Sequence, residues 1–547
     1  MRFDASILLL AAVASSSAAL FVEPRSRRQQ VTFALSPKSF RQSVAAVASS
    51  QKDLSSWVAY QSDVSFEGIL ANIGPDGANV VNSGVRPGVV VASPSKSYPD
   101  YFYHWIRDGA ITIRALVDHY AATGDAKSKQ IIDDYIASNQ AVQRVSNPSG
   151  AFEGLEGLGE PKFHVDGSAF VDNWGRPQRD GPALRAITLI NYIYALTNRT
   201  SSQASDYKYI YDQVIKPDLE YTSKFWAHPG FDLWEEVNGL HFFTAMVQFK
   251  ALCLGEQIAE AMNDPGAAEW YRAQSIGVRG FLRAFWDDGK GHIVETLGSS
   301  RSGLDSAIIL GAIHGGSESV YPLHSDSMIA TLHSLVQDMR TRYKINIADM
   351  EDFNETAEDI PVSVGIGRYP EDVYAGGDKA AEVAGSDQLG NPWFLCTASV
   401  AHALYALAEH LALSDKHLVI TNLTAPFYLP LIPSAVSAKD AAYIDFSSTS
   451  NALPTAVKLA FDPASKETQA IIANIVRYAD GFMNVIRKHS DAEGQLSEQF
   501  DRDNGFMRGA KQLTWSFEAF WNAAKMREKT FEAIQRRREF FSMRAKL

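Results

Sequence analysis

The 547-residue sequence has only two cysteines, Cys253 and Cys396, far apart and each inside an apolar helical pattern. That is a poor disulfide framework, so both are expected to be buried and free. Beyond the N-terminus no run is long and apolar enough to span a bilayer, which predicts a soluble mature protein without membrane contact. Basic blocks are missing outside the N-terminal tail and the net charge is -12, which disfavours nucleic acid and favours an uncharged or cationic ligand. Alternating strands are scarce, with short candidates only at 88–92 and 292–294. No Walker or dinucleotide glycine fingerprint follows a predicted strand, and Gly-x-Ser-x-Gly is absent. His104, His164, His228 and His241 lack any ligand spacing such as His-Glu-x-x-His. No cofactor and no metal are therefore expected, and carboxylate chemistry is the strongest option left.

What is present is a long, nearly all-α chain. At 46% hydrophobic and 21% charged it can bury a sizeable core. Residues 1–19 have the charge, apolar core and small-residue layout of a secretory signal peptide. Residues 20–50 are Ser- and Arg-rich, with a dibasic pair at Arg27-Arg28, and read as a pro-segment or a targeting linker. Sequons at Asn198, Asn354 and Asn422 agree with a secreted protein or one bound for a secretory-pathway compartment such as the vacuole. From about residue 51 apolar sets at i, i+3, i+4 predict helices at 110–120, 128–145, 183–196, 207–225, 242–261, 267–285, 329–343, 394–413, 471–486 and 514–524. The catalytic domain is bounded at 51–526, and 527–547 follows as a charged helical tail. With no fixed-period repeat to indicate a solenoid, paired helices suggest a toroid of inner and outer layers with its chemistry at one mouth.

The joins at 161–181, 228–239, 365–392 and 494–509 are too long for simple helix turns and collect Gly, Trp and charge. Tyr101, Trp105, Arg107 and Asp108 sit in one aromatic, Arg and Asp cluster; Trp174 to Asp180 and Arg368 to Asp372 repeat the theme. Glu498 and Gln499 supply a carboxylate beside an amide. Aromatic faces next to bidentate polar groups suit sugars, which have apolar C–H faces and rims of hydroxyls. In Asp232-Leu233-Trp234-Glu235-Glu236, adjacent carboxylates raise each other's cost of ionising beside a water-excluding indole, which is how a general acid is made. An exposed acidic helix start explains that stretch equally well until a second carboxylate is found.

These blocks, in order from about residue 54 to 526 and including 157–163, 301–303 and 391–397, resemble fungal-type glucoamylases, glycoside hydrolase family 15. The resemblance implies an all-α (α/α)6 barrel in one catalytic domain. It also implies inverting hydrolysis that releases β-glucose from non-reducing ends of α-1,4-glucans, with α-1,6 links cut more slowly. By the same resemblance Glu235 is the general acid and Glu498 the general base. Arg107 and Asp108 bind outer hydroxyls of the terminal glucose, Arg368 reaches across the scissile region, and Trp105, Trp174 and Trp393 wall the pocket. Tyr101 lies against the developing oxocarbenium charge, Glu236 takes a hydroxyl of the next sugar, Asp232 tunes the acid, and Gln499 joins the substrate-binding set. The partner implied is an α-glucan met by a monomer.

Departures from the pattern are an insertion at 375–389, His104 and Phe500 in place of Thr and Tyr, and low cysteine content. The starch-binding domain of some relatives is not matched, which argues against efficient attack on raw granules but leaves starch, glycogen and maltooligosaccharides as the expected substrates. The alternatives are an α-glucosidase or glucodextranase-like relative with another linkage preference, and a non-catalytic glucan sensor, which should have lost one carboxylate.

Overall fold

Helical periodicity becomes two concentric layers. The computed structural model describes residues 37–354, 360–377, 390–433, 442–443 and 459–544. Its principal helices are α1 (Pro37–Ala71), α2 (Ile106–Thr123), α3 (Ala126–Val142), α4 (Gly181–Thr200), α5 (Lys216–Phe225) and α6 (Phe242–Ala261). They continue with α7 (Pro265–Leu282), α8 (Ser306–Gly315), α9 (Asp326–Met339), α10 (Phe394–Leu413), α11 (Lys466–His489) and α12 (Thr514–Arg544). The chain divides into Met1–Asp53 and Leu54–Leu547, and of the first unit only the opening residues of α1 are described.

The even-numbered helices form the inner layer. α2 packs on α4, α4 on α6, α6 on α8, α8 on α10, α10 on α12, and α12 returns to α2. That closed ring of six explains its sequences: Ser306–Gly315 is buried almost all round, as a helix enclosed by neighbours must be. Close approach inside the ring needs small residues, and a Cβ on Gly311 would lie 3.2 Å from the Phe243 Cα. The odd-numbered helices cover the ring: α3 lies against α2, α5 against α4 and α6, α7 against α6, α9 against α8 and α11 against α10. α1 lies on α12, where Gly68 meets the Phe517 ring. Strict alternation of outer and inner helices makes this the (α/α)6 barrel that the sequence implied.

Some expectations are corrected. α1, α8 and the helix Lys344–Asn354 are absent from the helices that the sequence predicts. The region 207–225 is not one α-helix but carries a wider π turn at Tyr211–Ile215 before α5. The candidate strand at 88–92 is reduced to a single bridge, Ile73 to Val90, whereas His292–Ile293 does pair with Trp286–Asp287. Cys396 is buried but Cys253 is only half-buried, and both are free.

α12 runs unbroken across position 526. Beyond it Arg527 pairs with Asp480 at 2.7 Å, the Thr530 hydroxyl donates to the Tyr405 carbonyl, and Arg537 donates to the Leu411 and Ala412 carbonyls. Asn198 and Asn422 are exposed. Residues 1–36, most of the 375–389 insertion and the sequon residue Thr356 lie outside the described residues.

Candidate active site

Every inner helix starts at the same mouth, so the loops entering them converge there. Helix starts carry partial positive charge and unpaired N–H groups, which suits carboxylates and hydroxyl oxygens. A cavity of about 300 Å³ lies at this mouth, small for a ligand pocket. Of the anticipated residues, Tyr101, Trp105, Arg107, Asp108, Trp174, Glu235, Glu236, Arg368, Trp393 and Glu498 line it. Asp232 and Gln499, the other two anticipated residues, are not among those lining this cavity. Asp232 accepts from the backbone N–H groups of Trp234, Glu236 and Val237, and Gln499 accepts from the Asn391 side chain at 2.8 Å.

Glu235 sits at the apex of a hairpin that pairs Gly230–Phe231 with Asn238–Gly239 ahead of α6. Its φ of +67° is left-handed, a strained choice for glutamate that the Asp232 hydrogen bonds hold in place. The turn separates the two adjacent acids, and each carboxyl meets its own set of partners. Glu236 takes Arg368 on one oxygen at 2.8 Å, and Arg301 at 2.9 Å together with the Tyr369 hydroxyl on the other. Burial works to raise its pKa, but Arg368, Tyr369 and Arg301 overcome it and leave Glu236 below the ordinary range.

On Glu235, the Trp105 indole N–H donates to Oε1 at 2.7 Å and the Gln178 amide donates to the same oxygen at 2.8 Å. The Arg107 guanidinium is 3.7 Å from that oxygen too. Oε2 has no hydrogen-bond partner among the described residues. N–H donors cannot accept, so a proton on this carboxyl must sit on Oε2.

Glu498 enters on the loop before α12, opposite α6 in the ring. It is fully buried, and burial pushes its carboxyl up to about 7 against the pull of Tyr101, Arg368, the Ala510 N–H and Tyr374. Gly509 has φ +73°, and a Cβ there would collide with Glu498 Oε2, so glycine is what lets backbone pass so close.

Arg107 donates to Gln178 at 2.9 Å and pairs with Asp180 at 2.7 Å. Asp108, in the first turn of α2, has Arg107 as its ion-pair partner among the described residues at 4.0 Å, and burial, aided by the nearby Glu235 and Asp180 carboxyls, lifts it to about 6 against the pull of Arg107. It faces the cavity with acceptors to spare. The walls are indoles backed by a cation: the Lys162 ammonium lies 3.1 Å from the Trp174 ring centroid and 4.6 Å from that of Trp105, with Tyr103 and Phe170 closing the box. His104, in place of the expected threonine, is buried and lowered to about 4 by that burial, and its Nδ1 bonds the Val90 carbonyl.

Tyr374, Trp234 and Trp515 also line the cavity and were not anticipated. Trp515 looks like an ordinary core residue at a helix start. Trp234 was read as the neighbour of the acids rather than as wall. Tyr374 lies two residues past the aromatic, Arg and Asp cluster, and its aromatic character next to Asp372 was the signal available.

Comparison with known proteins follows the same outline. A family model described as glycosyl hydrolases family 15 matches residues 63–525. A glucoamylase of Saccharomycopsis fibuligera is 36% identical over 507 residues, covering 87% of this chain and 91% of that protein. A protein of Saccharomyces cerevisiae named as an intracellular, sporulation-specific glucoamylase is 34% identical, covering 88% of this chain and 85% of its own. Among solved structures, a Saccharomycopsis fibuligera glucoamylase at atomic resolution matches with a TM-score of 0.76 and 34% identity, over 87% of this chain and 96% of that one.

Proposed function

The chain belongs to glycosyl hydrolase family 15 and is a glycoside hydrolase of the glucoamylase kind, and from that premise we propose a single-displacement route run by Glu235 and Glu498. The substrate is the non-reducing end of an α-glucan, from which terminal α-1,4-linked glucose leaves as β-D-glucose. Glu235 protonates the departing glycosidic oxygen through Oε2. Glu498 takes a proton from the attacking water, a task for which a carboxylate of raised pKa is the stronger base. An inverting pair needs roughly 6.5–9.5 Å between its carboxyls to admit that water. The observation that carries this reading is the placement of two cavity-facing carboxyls on loops of opposed ring helices, α6 and α12.

In the same proposal Arg107 and Asp108 hold hydroxyls of the terminal sugar, the indoles of Trp105, Trp174 and Trp393 cover its apolar faces, and Tyr101 lies against the oxocarbenium charge. Glu236, fixed by its arginines, and Arg368 take the next sugar. Asp232 acts indirectly by holding the Glu235 turn, and Gln499 by supporting the wall from behind. We assign residues 1–19 to a secretory signal peptide, 51–526 to catalysis, and a monomer to the working state. No helix among the described residues is long and apolar enough to cross a membrane.

Glu235→Gln and Glu498→Gln test the assignment: each is expected to cut turnover on maltoheptaose by at least ~100-fold with the fold intact by circular dichroism. Near-normal turnover in either would remove that residue from its role. Rates on maltose, isomaltose and soluble starch separate this reading from an isomaltose-preferring relative.

A further inference from the structure

Among the described residues no charged side chain lies within salt-bridge distance of Glu498, and its buried carboxyl is held by neutral donors, the Ala510 N–H at 3.4 Å from Oε2 and nearby phenol hydroxyls. The Tyr374 hydroxyl lies 3.4 Å from Oε1 and 3.3 Å from Oε2, nearly equidistant from the two oxygens. It also lies 3.2 Å from the Tyr101 hydroxyl. A single O–H astride both oxygens restrains rotation of the carboxylate plane. Those contacts are at the long end for O–H···O bonds.

The Tyr374 phenol is positioned by groups other than Glu498. Its backbone N–H donates to Asp372 Oδ1 at 2.9 Å. Asp372 is gripped by Arg368 through two bonds of 2.9 and 2.6 Å. The Arg368 guanidinium lies 5.2 Å from the Tyr374 ring centroid, and the Trp393 ring lies 6.0 Å from it. Arg368 in turn holds Glu236 at 2.8 Å through the same nitrogen that bonds Asp372 Oδ1. One hydrogen-bonded strap therefore runs from Glu236 through Arg368 and Asp372 to Tyr374 and ends on Glu498.

We propose that Tyr374 is a positioning residue for Glu498, its hydroxyl aiming the carboxylate at the attacking water while the Arg368–Asp372 pair holds the phenol in place. This rests on the reading of Glu498 as base. No bond is made or broken at Tyr374; when Glu498 takes the proton from water, the Tyr374 O–H is released to the Tyr101 oxygen beside it.

The test is a cycle of Tyr374→Phe and Glu498→Gln on maltoheptaose, with pH profiles. Tyr374→Phe is expected to lower kcat about tenfold, the scale of one hydrogen bond to a charged group, with KM nearly unchanged. It should also move the acid limb of kcat/KM to higher pH, because a donor that favours the ionised base is gone. In the Glu498→Gln background the same change should cost almost nothing further. An equal loss in both backgrounds, or a change in KM alone with the acid limb unmoved, would overturn the proposal. If Glu498→Gln itself turns over normally, the base assignment falls, and Tyr374 falls with it.

Discussion

At the scale of single residues, the site works by giving chemically identical carboxyls different surroundings. Glu236 is surrounded by cations and is fixed as an anion, whereas Glu498 is buried with neutral donors and its pKa rises to about 7. A base must be ionised, so activity should be lost as pH falls, and the acid limb of kcat/KM should lie above the ordinary glutamate value of 4.5 and toward 7. A limb at or below 4.5 would contradict the assignment. Because the folded state holds the Glu498 proton more tightly than the unfolded chain, its contribution to stability is lost as pH rises through that window. Glu498→Gln, though inactive, should therefore melt higher than the parent at pH 8, a comparison that calorimetry reads directly. Gly509→Ala pushes a methyl against Glu498 Oε2 at a left-handed φ, and should cost at least ~10-fold in kcat by moving the base from its productive geometry.

At the scale of elements, helix starts do the positioning, and this is why the candidate site was legible before the fold. Tyr101 to Asp108, Trp174 to Asp180, Asp232 to Glu236, Arg368 to Asp372 and Glu498 stand out in sequence because entry loops concentrate Gly, Trp and charge. The outer helices α3, α7, α9 and α11 and the longer inner ones were equally readable, whereas α1 was not predicted and α5 was merged with the π turn before it. α8 was not readable, because a short helix apolar on every side has no stripe for periodicity to detect. Nor could sequence tell that Glu235 and Glu236 diverge, since that follows from one left-handed residue held by Asp232. Between layers, Arg185 on α4 and Asp218 on α5 form a buried pair with bonds of 2.7 Å, completed by Asn139 and Gln143. Arg185→Leu strands that carboxylate, and denaturant unfolding should register a loss of about 3–5 kcal/mol, partly recovered by adding Asp218→Leu. An unchanged midpoint would mean that the layers are not tied there.

At the scale of the whole molecule, a ring of six helices puts α6 and α12 opposite each other. With neighbouring axes about 8–10 Å apart, a hexagon sets opposed axes about 16–20 Å apart, and loops and side chains narrow that gap to a sugar-sized cavity. The net charge of -12 plays no part in capturing a neutral glucan. Accordingly kcat/KM on maltoheptaose should vary less than about twofold between roughly 0.02 and 0.5 M NaCl, where steering of a charged substrate would weaken steeply. The central claim, that two opposed glutamates act in one displacement, is tested most directly by proton NMR of the first glucose released from maltoheptaose. Signal from β-glucose appearing first, with α-glucose growing in only by mutarotation, is the predicted result; α-glucose released first would contradict it.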